Sequence, residues 1–560
     1  MTYDIVIKGG TIVDGTGAPG FRADVAIANG QIAEIGRVTE SGRDTIDAGG
    51  LVVAPGFVDP HTHYDAQICW DPLITSSSWH GVTSVVMGNC GVGIAPCKPE
   101  VREVAAWDLV NVEAIPFDVL NKGITWDWVS FPEFMDAAER RRPGINVGFL
   151  APLTPFRHFV MGEESMDRAA SAEETAQVAA LLREAVRAGA MGFSTTRLAQ
   201  HIGYKGRPLA CRNASRDEFK AYAGVLGELG MGAMEVALTK APGVLDDDEY
   251  EFLDLLLSAS GRPVTWLALL GRDDDPEACL RSLDKAEPLV RRGALPQVTC
   301  RPLIVQFNLR EPFVFANLRS MNPVFNQTPE AQMNFYRDSA FRSAFRADLA
   351  RPGIFSSRWD RVEIKSVGDP AMRALEGRTV GEVARERGRD GFDTFLDIGI
   401  EDALRVEFTC PLFNADEKRI PELLRDPRAM IGLSDGGAHV DMLIDAGYPT
   451  YLLGTWVRER QALTLERAVQ RITSEPANFF GIRGRGRLKT GLAADVAIFD
   501  PNTVGSGLRG TMRDDLPGGG RRLVMEARGI YCTIVNGRVL YREGQPSEAR
   551  PGTVLRCGRC

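Results

Sequence analysis

Apolar and polar residues alternate along 4–8 and 11–13, and again along 24–27 and 31–35, with the pairs Gly9-Gly10 and Asn29-Gly30 between them. A period of two marks strands with one buried face, and Asn-Gly is a favoured pair for a two-residue hairpin turn. The same texture returns at the far end, in 495–499, 531–535 and 538–541, the last two joined by Asn536-Gly537. The two ends are therefore expected to share one small β domain, spanning 1–56 plus 483–560.

Between them the pattern changes to short apolar strands at 84–87, 146–150, 192–194, 233–237 and 264–269, interleaved with helical stretches such as 172–188 and 216–228. Strands alternating with helices predict an α/β fold with a parallel sheet under a helical cover. Residues 57–482 suit a (β/α)8 TIM barrel enlarged by insertions. A doubly wound open sheet is the alternative, but no GxGxxG follows a first strand. The stretch 301–428, rich in Pro, Phe, Asn and Arg and weakly periodic, reads as an insertion over one barrel face, where it would shape a substrate pocket.

Composition narrows the function. The chain has 560 residues, 44% hydrophobic and 25% charged, with a net charge of −9. Without a basic excess, nucleic acid and anionic membranes are not expected partners. The N-terminus has no continuous apolar run of the signal-peptide kind, and ten scattered cysteines suit reduced thiols, so a cytoplasmic location is expected. The closing Cys557 and Cys560 form one CxxC pair with no second pair, which reads as two thiols on a tail rather than a zinc site.

Three segments carry chemistry. In 54–64, APGFVDPHTHY, a short apolar strand runs into His-x-His; alternate strand residues share a face, so His61 and His63 can both present an imidazole to one ion. In 432–439, GLSDGGAH, Asp435 follows another apolar strand among small residues that permit close approach, and suits proton shuttling beside a metal. Asp before Gly-Gly is otherwise a turn former. In 87–91, MGNCG, Cys90 ends a further strand; a thiolate there would be a strong zinc ligand, an inert buried cysteine being the bland reading.

Together with VIKGGTIVDGTG near the start and TSEPANFFGIRGRGRLKTGLAADVAIFD near the end, these segments resemble the N-acyl-D-amino-acid deacylase (D-aminoacylase) family of the amidohydrolase superfamily over most of the chain. The resemblance implies a (β/α)8 barrel with a β-sandwich built from both termini, and amide hydrolysis by metal-activated water. It implies metal-ligand roles for His61, His63 and Cys90, and the acid/base role, with a place at the metal, for Asp435. One or two divalent ions, zinc foremost, are the expected cofactor. A small-molecule amide, foremost an N-acyl amino acid, is the expected substrate; homo-oligomerisation stays open.

The family also presents histidines on its fifth and sixth strands, whereas the matching stretches here, 233–240 and 264–271, contain none. Outside the first pair only His80, His158, His201 and His439 remain, so a mononuclear or unusually liganded site is expected. His201 is the favoured extra ligand or substrate contact, with His439 beside the acid loop; Glu235 and a carbamylated Lys205 or Lys240 are remoter options. Arg197 and Arg310 are candidates for a substrate carboxylate, since a guanidinium binds one bidentately. Two alternatives are hydrolysis of another C–N bond, as in a cyclic amide or a deamination, and a ligand-binding pseudoenzyme.

Overall fold

The computed structural model describes residues 2–315, 318–325, 327–351, 355 and 357–558. Five strands from the first 55 residues and four from residue 496 onward hydrogen-bond into one nine-stranded sheet. The ends meet where Val52–Pro55 pairs antiparallel with Val496–Phe499 and parallel with Tyr3–Ile12. Asn29 and Gly30, with φ of 53° and 78°, and Asn536 and Gly537, with 47° and 74°, make the expected hairpin turns, which need positive φ at both positions. Gly9-Gly10 is not a turn: Tyr3–Ile12 is one ten-residue strand whose register slips between Ile7 and Gly10. The reason is local, because Gly9 at φ 69° donates to Asp24 Oδ1 at 2.8 Å and bulges the strand instead of reversing it.

The middle of the chain is mixed α/β. Phe57–Asp59, Val82–Met87 and Asn146–Phe149 pair in parallel; after Leu150 the chain continues as Ala151–Pro152, which begins a second parallel set. That set runs through Gly192–Thr196, Ala233–Ala237, Val264–Leu267, Ala294–Val298 and Met430–Ile431. A parallel bridge between Thr62 and Gly436 links the ends of the first and last of these strands. Every residue of Gly192–Thr196 and Ala233–Ala237 is buried, as parallel strands covered on both faces require.

Helices between the strands are locally encoded. Ala172–Ala188, Arg216–Leu229 and Asp247–Ser260 each open with a reciprocal capping box, at Ser171/Glu174, Ser215/Glu218 and Asp246/Glu249. Each then lays an apolar stripe, Val178, Leu182 and Ala185 in the first case, on the common core.

Residues 301–428 hold an antiparallel sheet of Leu303–Phe307, Glu363–Ser366 and Glu407–Phe413, which the weak periodicity did not reveal. Its apolar cluster, with Phe307, Phe315, Phe345, Phe395 and Phe408, is separate from the main core. No helix among the described residues is long and apolar enough to cross a membrane.

Candidate active site

The His-x-His pair lies just beyond its strand. Phe57–Asp59 ends two residues before His61, and Thr62 makes the bridge to Gly436, so the pairing that aligns the two rings is with the acid loop rather than within the strand. Backbone contacts set this local shape: His63 N donates to Gly436 O at 2.7 Å, and Ser434 Oγ donates to His61 O at 3.0 Å. Glycine is needed here, since a Cβ at Gly436 would sit 2.5 Å from Tyr64 Oη and one at Gly437 2.7 Å from His63 O.

Four donor groups converge as a result. His61 Nε2 lies 3.3 Å from His63 Nε2 and 3.6 Å from Cys90 Sγ. Asp435 Oδ1 is 3.2 Å from His61 Nε2 and 3.5 Å from His63 Nε2. Two ring nitrogens facing each other at this distance repel unless a proton or a cation lies between them, and nitrogen, sulfur and carboxylate oxygen together are the donor set of zinc. The backbone is strained around this point: Cys90, Ala114, Leu433, Asp435 and His439 all have φ between 47° and 58°, a region non-glycine residues avoid.

Two residues missed in the sequence complete the surroundings. Glu113, the last residue of the helix Arg102–Glu113, brings Oε1 within 3.2 Å of His63 Nδ1. Asp65 accepts from Gly88 N at 3.1 Å. Neither carries a sequence signal, because an acid at a helix end or after a strand is usually a solvated charge. Glu235, in the middle of Ala233–Ala237 and in register with Thr265, is fully buried and accepts from Cys90 N at 2.7 Å.

Electrostatics follow from this crowding of acids. Burial raises Asp59 to about 7, Asp65 to about 6, Glu113 to about 7 and Glu235 to about 8. Burial disfavours a charged His63, but Glu113 and then Asp435 prevail and raise it to about 9. Burial likewise opposes an ionised Asp435, yet hydrogen bonds and charge from His61 and His63 hold its carboxyl well below the usual range. Among the described residues none of these five acids pairs with Lys or Arg. Ionising these acids with so little cationic compensation is costly, and a bound divalent cation would offset that cost. His61 Nδ1 and Glu235 Oε1 are also buried without a hydrogen-bond partner. Donor set and charge balance therefore both fit a metal ion.

The remaining histidines divide in two. His80 is committed to Thr450 Oγ1 at 2.7 Å and Met525 O at 3.0 Å, and His158 to Ser165 Oγ at 2.8 Å and Asp108 Oδ2 at 2.9 Å. His201 and His439 each have a buried Nδ1 without a partner. Burial, with the charges of His439 and His63 nearby, pushes His201 down to about 3. Arg197 is engaged elsewhere, with Asp248 at 2.9 Å and over the Phe252 ring at 4.6 Å. Lys240 pairs with Asp246 and Asp248, and exposed Lys205 stacks on Tyr204, so neither joins the cluster. Arg310 donates to Gln332 Oε1 at 2.8 Å and lines a cavity of about 670 Å³ with Phe307, Met442 and Ala114, the residue after Glu113. Cys557 is half-buried, and Cys560 lies outside the described residues.

Comparison with known proteins identifies the family. Residues 44–301 and 327–541 match the model of the amidohydrolase family. An uncharacterised protein of Mycobacterium tuberculosis is 30% identical, covering 97% of this chain and 93% of its own. The D-aminoacylase of Alcaligenes xylosoxydans xylosoxydans is 27% identical over 99% of this chain and 97% of its own. Among solved structures, the N-acyl-D-glutamate deacylase of Bordetella bronchiseptica, complexed with zinc and a phosphonate inhibitor, superposes with a TM-score of 0.66 at 26% identity, covering 99% of this chain and 100% of the other. The chain thus belongs to the amidohydrolase family, among its D-aminoacylase-like members, and is a hydrolase of carbon–nitrogen bonds other than peptide bonds.

Proposed function

We propose that the protein hydrolyses the amide bond of an N-acyl amino acid at a zinc site held by His61, His63 and Cys90, with Asp435 as ligand and acid/base. The observation that carries this reading is the meeting of His61 Nε2, His63 Nε2, Cys90 Sγ and Asp435 Oδ1 at one point, the three nitrogen and sulfur atoms lying within 4.8 Å of one another. When bound, a divalent ion supplies Lewis-acid polarisation of a carbonyl and lowers the pKa of water. Asp435, kept ionised by the two rings, accepts a proton at a carboxylate oxygen and returns it to the departing amine. Glu235 holds the Cys90 backbone turn, and Gly436 and Gly437 let Asp435 approach.

The order of parallel strands and the Thr62–Gly436 bridge support a (β/α)8 barrel over 57–482, with the nine-stranded sheet as the core of a composite domain from 1–56 and 483–560. The cavity beside Ala114 and Met442 is the proposed substrate chamber, with the Arg310 guanidinium at its wall as a carboxylate anchor. His201 and His439 would contact substrate, since both turn unpartnered ring nitrogens into the same surroundings.

The test is zinc content of the full chain, together with hydrolysis of a panel of N-acetyl-D- and L-amino acids by wild type and Asp435→Asn. The reading expects stoichiometric zinc in wild type and a loss of about 10²- to 10⁴-fold in kcat/KM for Asp435→Asn. Wild type without stoichiometric zinc, or an Asp435→Asn variant as active as wild type, overturns it.

A further inference from the structure

We infer that Glu113 is a positioning residue for the metal site, fixing the His63 ring so that Nε2, and not Nδ1, faces the ion. The inference rests on the zinc reading above and adds a residue to it. An imidazole can offer either nitrogen, and the group met by the other nitrogen decides which. Here His63 Nε2 faces His61 Nε2 and Asp435 Oδ1, while Nδ1 lies 3.2 Å from Glu113 Oε1, with both side chains 3% exposed. Neither His63 Nδ1 nor Glu113 Oε1 has a hydrogen-bond partner elsewhere, so each of these buried atoms has the other as its polar neighbour.

The carboxylate comes from a firmly held support. Earlier in the same helix Asp108 accepts from Tyr204 N and meets His158 Nε2, both at 2.9 Å, and Asn111 donates to Gly203 O at 2.8 Å. At its end Glu113 O accepts from His439 N at 2.5 Å, and Ala114 turns away at φ 50°. Glu113 thereby joins the ring of His63 to the loop that carries Asp435. A glutamine at this position keeps the shape but loses the anionic acceptor; an aspartate keeps the charge and loses one methylene of reach.

Zinc affinity of the full-length wild type, Glu113→Gln and Glu113→Asp, read by competition with a fluorescent chelator alongside thermal unfolding of the metal-free proteins, tests this. Glu113→Gln is expected to bind zinc 10- to 100-fold more weakly, Glu113→Asp to recover part of that loss, and both metal-free proteins to melt as wild type does. Wild-type zinc affinity in Glu113→Gln overturns the inference alone. So does early melting or failure to fold of both metal-free variants, since the carboxylate then serves packing. A wild-type protein that takes up no zinc instead overturns the function on which the inference rests.

Discussion

Asp435 holds its carboxylate against two imidazoles from a backbone at φ 47°, and the loop reaches that position only because Gly436 and Gly437 follow. Gly437 itself has φ 93°, and an added methyl would lie 2.7 Å from His63 O and 2.8 Å from Tyr64 Cδ1. Gly437→Ala is therefore expected to push the acid loop off the His63 segment. A displacement of about 1 Å at a reacting group costs on the order of 100-fold in rate. Steady-state kinetics should show kcat down by about that factor with the far-ultraviolet circular dichroism unchanged; a kcat within twofold of wild type would show that the loop yields without moving Asp435.

Single helices are secured by their first turns. At the start of Ala172–Ala188, Glu174 N donates to Ser171 Oγ at 3.2 Å, and Ser171 N donates to Glu174 Oε2 at 2.7 Å. Arg168 binds both Glu174 oxygens at 2.8 Å and, ahead of the Ser171 backbone bond, lowers the Glu174 carboxyl to about 2. A carboxyl lowered by folding contributes stability above its unfolded value, near 4.3, and loses it as pH falls toward the folded value. Glu174→Gln should cost about 1 kcal/mol at pH 7, allowing for solvent screening. The gap between variant and wild type in urea unfolding should narrow below about pH 4.3 and approach zero near pH 2. A gap independent of pH would remove the charge from the explanation and leave only the shape of the cap.

At the scale of the whole molecule, the two chain ends do more than build the nine-stranded sheet. Val554–Leu555 pairs in parallel with Asn146–Phe149 on the side opposite Val82–Met87, and Cys557 N donates to Gly189 O at 2.8 Å. The C-terminal strand thus completes the sheet that begins with the His61 segment. Val554 and Leu555 are 7% and 3% exposed. Ending the chain at residue 552 should lower the unfolding free energy by about 3 kcal/mol or more, the burial of two aliphatic side chains. Equilibrium unfolding reads this directly, and an unchanged midpoint would mean that the tail lies on the sheet without supporting it.

Much of this was legible along the chain, for a physical reason. Helix 172–188 declares itself by Ser171, Glu174 and a 3.6-residue stripe; the hairpins by Asn-Gly; and the metal segment by His-x-His, because each depends on geometry within a few residues. Family, reaction class and the closeness of Asp435 to small residues followed from such segments. Glu113 was illegible, since nothing in its own helix distinguishes it from a solvated acid, and only the fold brings it to His63 from 50 residues away. The same holds for Gly9-Gly10 as a bulge around Asp24 and for the strand Val554–Leu555, while Glu235, a remote ligand option along the chain, is set under the Cys90 backbone by the fold alone. Local periodicity determined which elements form; contacts between residues far apart in sequence decided which buried acids surround the site and what each one holds.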